Sequence, residues 1–462
     1  MAPEKVILVG LQLPKTKRHD IEDSLAELAR LAQTAGAKPE LTVIQHRPKI
    51  DPAYFIGIGK AHELKILAAE KNIRTVIFDE ELKPAQQKNL EELLDVKVVD
   101  RSRLILDIFA KRARSKEGIL QVERAQIEYF LPRITERFGR FEQQTGGIGT
   151  RGPGEKKLEV DQRHLRSRLA MLDREIEAIS FHRSVLRQKR IDSGQPVVAI
   201  AGYTNAGKST LLNTLSGSRE VYPVKNQDIA ARPQGMKWQS NSLRAYYVTH
   251  ADSDGVYADN KLFATLDPTT RQVKFPGGRI ALFTDTVGFI KKLPHSLIAA
   301  FRATLEEITL SSCLVHVIDA SQPDYEQQVM TVLKVLKELK ADKLPTINVY
   351  NKADLLSKET RQKLKRSGAL LISARSGEGI KELLERIENI VVPRTYSHTL
   401  SIPYSKTDIV GKIFKLAVVK KQDYGAKGLK LTVECTDEHW KMIQKVTHKG
   451  QIASVAKRTP SQ

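Results

Sequence analysis

The chain has 462 residues, 41% of them hydrophobic, enough to build full cores in two or three domains. Its net charge of +21 points to a polyanionic partner. Two distant cysteines exclude a disulfide framework and a zinc spacing, no run reaches the roughly 18 apolar residues of a membrane span, and no signal-peptide pattern opens the chain, so a cytoplasmic location is expected.

Residues 1–103 alternate short apolar runs with amphipathic stretches. Strands are predicted at Val6–Val9, Leu41–Ile44, Thr75–Phe78 and Val96–Val99. Ile21, Leu25, Leu28 and Leu31 fall on one helical face between the first two. This β-α-β rhythm predicts a small parallel sheet. Gly57-Ile58-Gly59-Lys60 is too short for a phosphate loop and reads as a plain turn.

Residues 104–192 change character. A helix is predicted over about Glu117–Phe130. Leu165, Leu169, Leu172, Ile176 and Ile179 form one apolar seam of a second, long helix. The glycine-rich stretch Gly146–Gly154 separates them, which predicts a helical hairpin with a basic tip. Glycines there allow close approach to another backbone, and Arg151 can pair with phosphate. Residues 111–190 carry 19 Lys/Arg against 11 Asp/Glu, and residues 394–462 carry 13 against 5. The excess charge therefore flanks the central region, which favours nucleic acid over a merely solvated surface. No DNA-reading motif is evident, so DNA is not an expected partner.

The central region, 197–392, holds the chemistry. Val197–Ala201 reads as a buried strand. It leads into Gly202-Tyr203-Thr204-Asn205-Ala206-Gly207-Lys208-Ser209-Thr210, a G-x-x-x-x-G-K-S loop, with a helix from Leu211. Such a loop turns its amides inward around phosphates, with Lys208 on the β- and γ-phosphates and the Ser209 hydroxyl on Mg²⁺. The helix N-terminus adds positive potential. A second strand, Ile280–Thr284, ends in Asp285-Thr286-Val287-Gly288. There Asp285 holds Mg²⁺ through water and Gly288 offers its N–H to the γ-phosphate. A third, Thr346–Tyr350, ends in Asn351-Lys352-Ala353-Asp354, the N-K-x-D guanine-reading pattern. The Asp354 carboxylate can accept from guanine N1–H and the 2-amino group, which adenine lacks. Leu370–Ile372 leads to Ser373-Ala374-Arg375, where a backbone N–H can meet guanine O6. Each motif alone is weak; in this order, each at a strand end, they predict a GTPase using GTP/GDP and Mg²⁺. Cys313 lies in an apolar run and reads as core.

At these residues the chain resembles the HflX ribosome-associated GTPases. The family signatures stand as Lys261-Leu262-Phe263-Ala264-Thr265-Leu266-Asp267-Pro268-Thr269, Asp285-Thr286-Val287-Gly288-Phe289, Leu293-Pro294-His295 and, upstream, Gly146-Gly147-Ile148-Gly149-Thr150-Arg151-Gly152-Pro153-Gly154-Glu155. The resemblance implies an α/β fold: an N-terminal parallel α/β domain (1–103) with a helical hairpin (104–192), a P-loop GTPase domain (197–392), and a small α+β C-terminal domain (393–462). It implies that Phe263 to Asp267 form switch I and touch the nucleotide, with Thr265 on Mg²⁺. Lys208, Thr265, Asp285 and Gly288 would carry catalysis. The implied partners are the large (50S) subunit, the 70S ribosome and ribosomal RNA, with the hairpin entering RNA and stalled ribosomes being split under stress. Some family members are described as RNA-remodelling ATPases, which leaves a second nucleotide or RNA site in the N-terminal domain as an alternative. A monomer is expected, and peripheral membrane association stays open.

Two features depart from a plain reading. About 35 residues, 219–253, intervene where the family passes almost directly to switch I. They read as a surface insertion without regular structure; a lineage-specific element that alters switch access is the alternative. Phe289 occupies the place where Ras-type GTPases carry a water-orienting Gln. Slow intrinsic hydrolysis and stimulation by a partner are therefore expected. A signalling switch without RNA is the third class, disfavoured by the uneven basic charge. In the C-terminal segment, Lys412–Val419 and Leu429–Val433 are predicted strands. Tyr404, Tyr424 and Trp440 are assigned mostly to core packing, with base stacking as the alternative.

Overall fold

A computed structural model describes residues 3–138, 153–192, 195–217, 262–263, 268–292, 307–392, 395–404, 409–425, 428–448 and 454–460. Arg151 and most of the glycine-rich tip, the 219–253 insertion, Ala264 to Asp267, and Leu293-Pro294-His295 lie outside the described residues. The chain divides into two compact units, Met1–Leu383 and Leu384–Gln462.

The first unit begins with four parallel strands, β1 (Glu4–Gln12), β2 (Ala37–His46), β3 (Thr75–Phe78) and β4 (Lys97–Asp100), in the order β2-β1-β3-β4. Alternation along β1 sends Val6 and Leu8 to one face, Ile7 and Val9 to the other. The first pair packs against Leu25, Leu28 and Leu31 of α1 (Arg18–Ala35) and Ile105 and Phe109 of α4 (Arg101–Arg112). The second pair meets Ala61, Leu64 and Ala68 of α2 (Ile58–Glu70) and Leu90 and Leu94 of α3 (Pro84–Leu94). Both faces are covered, as a parallel sheet requires. The predicted turn at Gly57–Lys60 is instead the start of α2, with Gly57 at its N-cap.

The hairpin follows. Helices α5 (Lys116–Phe138) and α6 (Pro153–Asp192) pack together, with Leu172 of the predicted seam fully buried. Pro153 and Gly154, assigned to the tip, belong to α6; proline suits the first helical turn, where its missing N–H costs nothing. Arg168 grips Glu123 with two bonds of 2.7 and 2.9 Å, and Arg124 reaches Asp173 at 2.6 Å. The C-terminal half of α5 is tied to the sheet: the Tyr129 hydroxyl donates to Asp100 at 2.9 Å, and Arg133, 3.4 Å over the Tyr129 ring, donates to the same carboxylate at 3.2 Å.

The second sheet has six strands: β5 (Val197–Gly202), β6 (Thr269–Lys274), β7 (Ile280–Asp285), β8 (Cys313–Asp319), β9 (Thr346–Asn351) and β10 (Leu370–Leu371). Their order is β10-β9-β8-β5-β7-β6, and only β6 is antiparallel to its neighbour. The central strands are buried, including Cys313 as expected. Helix α7 (Lys208–Ser216) starts three residues earlier than predicted.

The second unit carries an antiparallel sheet of β11 (Thr395–Ile402), β12 (Val418–Gly425), β13 (Gly428–Thr436) and β14 (Ser454–Pro460), ordered β12-β13-β11-β14. The strand predicted at 412–419 is a helix over Val410–Leu416, and β12 begins only at Val418. Ile409 and Ile413, four apart, both turn into the core, a helical spacing hidden in an apolar run. Trp440 is buried against His398, the rings stacked at 3.7 Å, whereas Tyr404 and Tyr424 are exposed, so core packing holds for one of the three aromatics. Among the described residues no helix is long and apolar enough to cross a membrane.

Candidate functional site

The predicted motifs converge at one edge of the six-stranded sheet, at the carboxyl ends of β5, β7 and β9, where open α/β sheets bind ligands. The loop after β5 turns tightly because two glycines permit it. A Cβ on Gly202 would sit 2.2 Å from the Val317 carbonyl oxygen, and one on Gly207, at φ 93°, would sit 2.3 Å from Asn351 Nδ2. Neither position admits a side chain.

Lys208 is buried. Its ammonium donates to the carbonyls of Gly202 (3.2 Å) and Tyr203 (2.9 Å). Burial pushes its pKa down to about 8, with Asp285 acting in the opposite sense. The Ser209 hydroxyl donates to Asp285 Oδ2 at 2.7 Å, so the hydroxyl and the carboxylate meet where the hard oxygen donors of a Mg²⁺ site are needed. The Thr204 hydroxyl is buried and has no hydrogen-bond partner among the described residues. Thr286, also buried, donates to the Ile200 carbonyl and ties β7 to β5. The donor set, the bare-glycine cradle and the orphaned hydroxyl fit a nucleotide phosphate chain with its cation.

Gly288 closes the cradle. A Cβ there would come within 2.9 Å of Thr204 Cα and 3.0 Å of Lys208 Nζ. The next residue, Phe289, is buried. Its N–H donates to the Gly202 carbonyl (3.1 Å), and its own carbonyl accepts from Thr204 N–H (2.8 Å). A phenyl ring packed in the core cannot orient water.

The N-K-x-D side of the site is held by Asn351. Its Nδ2 donates to the Ala206 carbonyl at 2.8 Å, and its Oδ1 accepts from Ala374 N–H at 3.0 Å. One buried side chain thus joins the phosphate loop to Ser373-Ala374-Arg375. Thr214 of α7 secures that loop again through the Ala374 carbonyl at 2.5 Å. Lys352, at φ 62°, pairs with Asp319 at 2.7 Å. Asp354 is exposed on a short turn of helix over Ala353–Leu355. Asn205, Ala206 and Thr210 take their expected places in the loop and the first turn of α7. Phe263 is described and buried, stacked edge-on against Phe109 of α4 at 4.6 Å, a contact with the N-terminal region rather than with the phosphate loop.

Sequence reasoning missed a second set of residues touching the site. The Tyr203 hydroxyl donates to Glu27 of α1 at 2.5 Å and accepts from Lys291 N–H at 2.7 Å. Burial, followed by the Glu27 carboxylate, raises the Tyr203 pKa far above its usual range. The available signal was Glu27 itself, the one charged residue among those α1 buries.

Three family models cover most of the chain: GTP-binding GTPase N-terminal over residues 22–110, GTP-binding GTPase Middle Region over 112–190, and 50S ribosome-binding GTPase over 197–244 and 247–352. A GTPase HflX from Caldanaerobacter subterraneus is 43% identical over 94% of this chain and 92% of its own. That of Escherichia coli K12 is 35% identical over 96% of each. Among solved structures, a GTP-binding protein of Sulfolobus solfataricus in complex with GDP is 22% identical over 84% of this chain and 98% of its own, with a TM-score of 0.40.

Proposed function

The chain belongs to the HflX family of GTPases, and from that premise we propose that it is a ribosome-directed GTPase that binds the large (50S) subunit and splits stalled or idle 70S particles. Guanine-nucleotide binding and GTPase activity come with the family; the ribosomal partner is the proposal. The observation that carries it is Phe289, buried and bonded to the phosphate loop where a water-orienting side chain would stand. Such a site leaves the alignment of water to a partner.

In this reading Lys208 neutralises the β- and γ-phosphates, and Gly288 N–H meets the γ-phosphate. Ser209 and Thr265 are the direct Mg²⁺ ligands, with Asp285 behind them. Mg²⁺ held by these residues would offset the negative charge that develops in hydrolysis. Asp354 reads guanine N1–H and the 2-amino group, and the Arg375 amide is left for O6, because those of Ser373 and Ala374 are engaged. Residues 1–103, the hairpin 104–192, the GTPase domain 197–392 and the module 393–462 divide the work, with the basic hairpin tip entering ribosomal RNA.

The test is co-sedimentation with ribosomes in GTP, GDP and a non-hydrolysable GTP analogue, with sucrose gradients to follow splitting. Binding should be tight with the analogue, weak with GDP, and lost steeply with added salt. Arg151→Glu should weaken ribosome binding and reduce splitting without changing GTP affinity in the free protein. Equal sedimentation in all three nucleotide states contradicts the proposal.

A further inference from the structure

The turn that closely follows β10, residues 373–379, is held from several sides. Ser373 N–H donates to the Glu378 carbonyl at 3.0 Å, and the Ser373 carbonyl accepts from Gly377 N–H at 2.8 Å. The Glu378 carboxylate is gripped by Arg361 of the helix Lys358–Arg366. Ala374 N–H donates to Asn351 of β9 at 3.0 Å. The Ala374 carbonyl accepts from the Thr214 hydroxyl of α7 at 2.5 Å. Of the three amides in Ser373-Ala374-Arg375, only that of Arg375 donates to no group among the described residues.

The Ala374 carbonyl and the Arg375 N–H belong to one peptide group. That group is planar and trans, so its C=O and N–H point in opposite directions. Whatever holds the carbonyl therefore aims the N–H. The residue that holds it is Thr214. Its hydroxyl has one proton and two acceptors in reach, the Thr210 carbonyl at 3.0 Å and the Ala374 carbonyl at 2.5 Å. A threonine inside a helix commonly bonds back to the carbonyl four residues earlier. Here the shorter contact is the one that leaves the helix. Because α7 begins at Lys208 and Ser209, this bond ties the peptide group to the phosphate loop. Asn351 makes a second tie between the same two loops, from the Ala206 carbonyl to Ala374 N–H. The peptide groups before and after the Ala374 Cα are thus each fixed by one side chain.

We propose that Thr214 is a positioning residue for guanine selection: by holding the Ala374 carbonyl, it sets the direction in which the Arg375 N–H meets the base. The inference rests on the reading that this N–H takes guanine O6. It goes further in naming what aims the donor and which base the aim excludes. Guanine and hypoxanthine carry an oxo acceptor at C6. Adenine carries an amino group there, so a fixed N–H faces another donor and adenine is refused. An N–H free to swing stops helping the first two bases and stops refusing the third. Hypoxanthine lacks only the 2-amino group, the part assigned to Asp354, so it separates the two readers.

The test displaces a fluorescent GDP from the full-length protein with GDP, IDP and ADP, in wild type, Thr214→Val, Thr214→Ala and Thr214→Ser. Valine keeps the outline of threonine without the hydroxyl. Alanine is the best helix former, so at this half-buried position it leaves α7 intact and gives a second hydroxyl-free variant that folds. In both, GDP and IDP should weaken together by about fivefold, the loss of one neutral hydrogen bond, while ADP does not weaken. The preference for GDP over ADP then falls, and the preference for GDP over IDP is unchanged. Thr214→Ser, which keeps the donor, should retain the wild-type preferences. A structural role alone would weaken all three nucleotides alike. That outcome, or a wild-type preference for GDP over ADP in both hydroxyl-free variants, overturns the proposal. A wild type without preference for GDP over ADP sinks the base-site reading itself, a result distinct from a Thr214 that aims nothing.

Discussion

The first unit contains two parallel sheets, and each presents the carboxyl ends of its strands to a crevice. At the edge of the six-stranded sheet the crevice is lined by glycines, a lysine, a serine and an aspartate that meet within hydrogen-bond distance. At the edge of the four-stranded sheet it is filled from within, by the chain's own Lys291 and Lys292. The same architecture serves once for a diffusible ligand and once for an internal one. The difference lies in how recognition is encoded. Phosphate needs backbone amides and bare Cα atoms, which fix residue types at fixed spacing. A strap of chain can be met by isolated charged side chains anywhere nearby.

The comparison breaks first at its readable half. Lys208→Ala should weaken GDP and GTP binding by about a thousandfold, since it removes a buried charge-assisted partner of two phosphates. Ser209→Ala should act through the cation and make binding insensitive to added Mg²⁺. Neither change touches the core around Leu28 and Phe109, so thermal unfolding should keep the wild-type midpoint. Equilibrium binding of a fluorescent GDP checks both.

Asp354→Asn sharpens the same half. A site that hydrogen-bonds a base edge rejects an analogue that leaves its groups unpaired. The variant should lose about a hundredfold in GTP affinity and gain preference for xanthosine nucleotides, whose 2-oxo group accepts from an amide. Competition between the two nucleotides reads the switch directly. An unchanged preference removes Asp354 as the reader.

The smallest expected effect is a pH dependence. Burial holds the Lys208 pKa at about 8, below its ordinary 10.5. The lysine is charged below pH 8 and loses its proton as pH rises through that value, while phosphate binding favours the charged form. GDP affinity should therefore be flat below pH 8 and fall by up to about tenfold per unit above it. Binding above pH 8 should take up a proton, visible as a dependence of binding heat on buffer ionisation. Lys208→Ala should abolish that dependence.

These two edges also separate what was legible in the sequence from what was not. The P-loop, Asp285 and Asn351 were readable because each chemical demand falls on consecutive residues at a strand end. The strand at Thr75–Phe78 was readable because a short apolar run has nowhere to go but a buried sheet, and that at Thr346–Asn351 because Ile347 and Val349 alternate with exposed residues at the period of a strand. The 412–419 segment was misread because its apolar run satisfies helix and strand periods alike, and only the four-residue spacing of Ile409 and Ile413 decides it. Arg101 and its partners Asp79 and Glu27 were invisible for a different reason. They lie up to 74 residues apart, and a single charged residue on an apolar face carries no sign of its partner. Tyr203 was placed in the phosphate loop, but nothing local announces that its hydroxyl faces away from the phosphates and toward another domain.

The central claim is that this GTPase leaves the alignment of water to a ribosomal partner. It is tested most directly by the steady-state rate of GTP hydrolysis, measured with and without purified large ribosomal subunits. With Phe289 buried at the catalytic edge, turnover should be slow in the free protein and rise by about a hundredfold or more with subunits. Fast turnover in the free protein, unchanged when subunits are added, would contradict it.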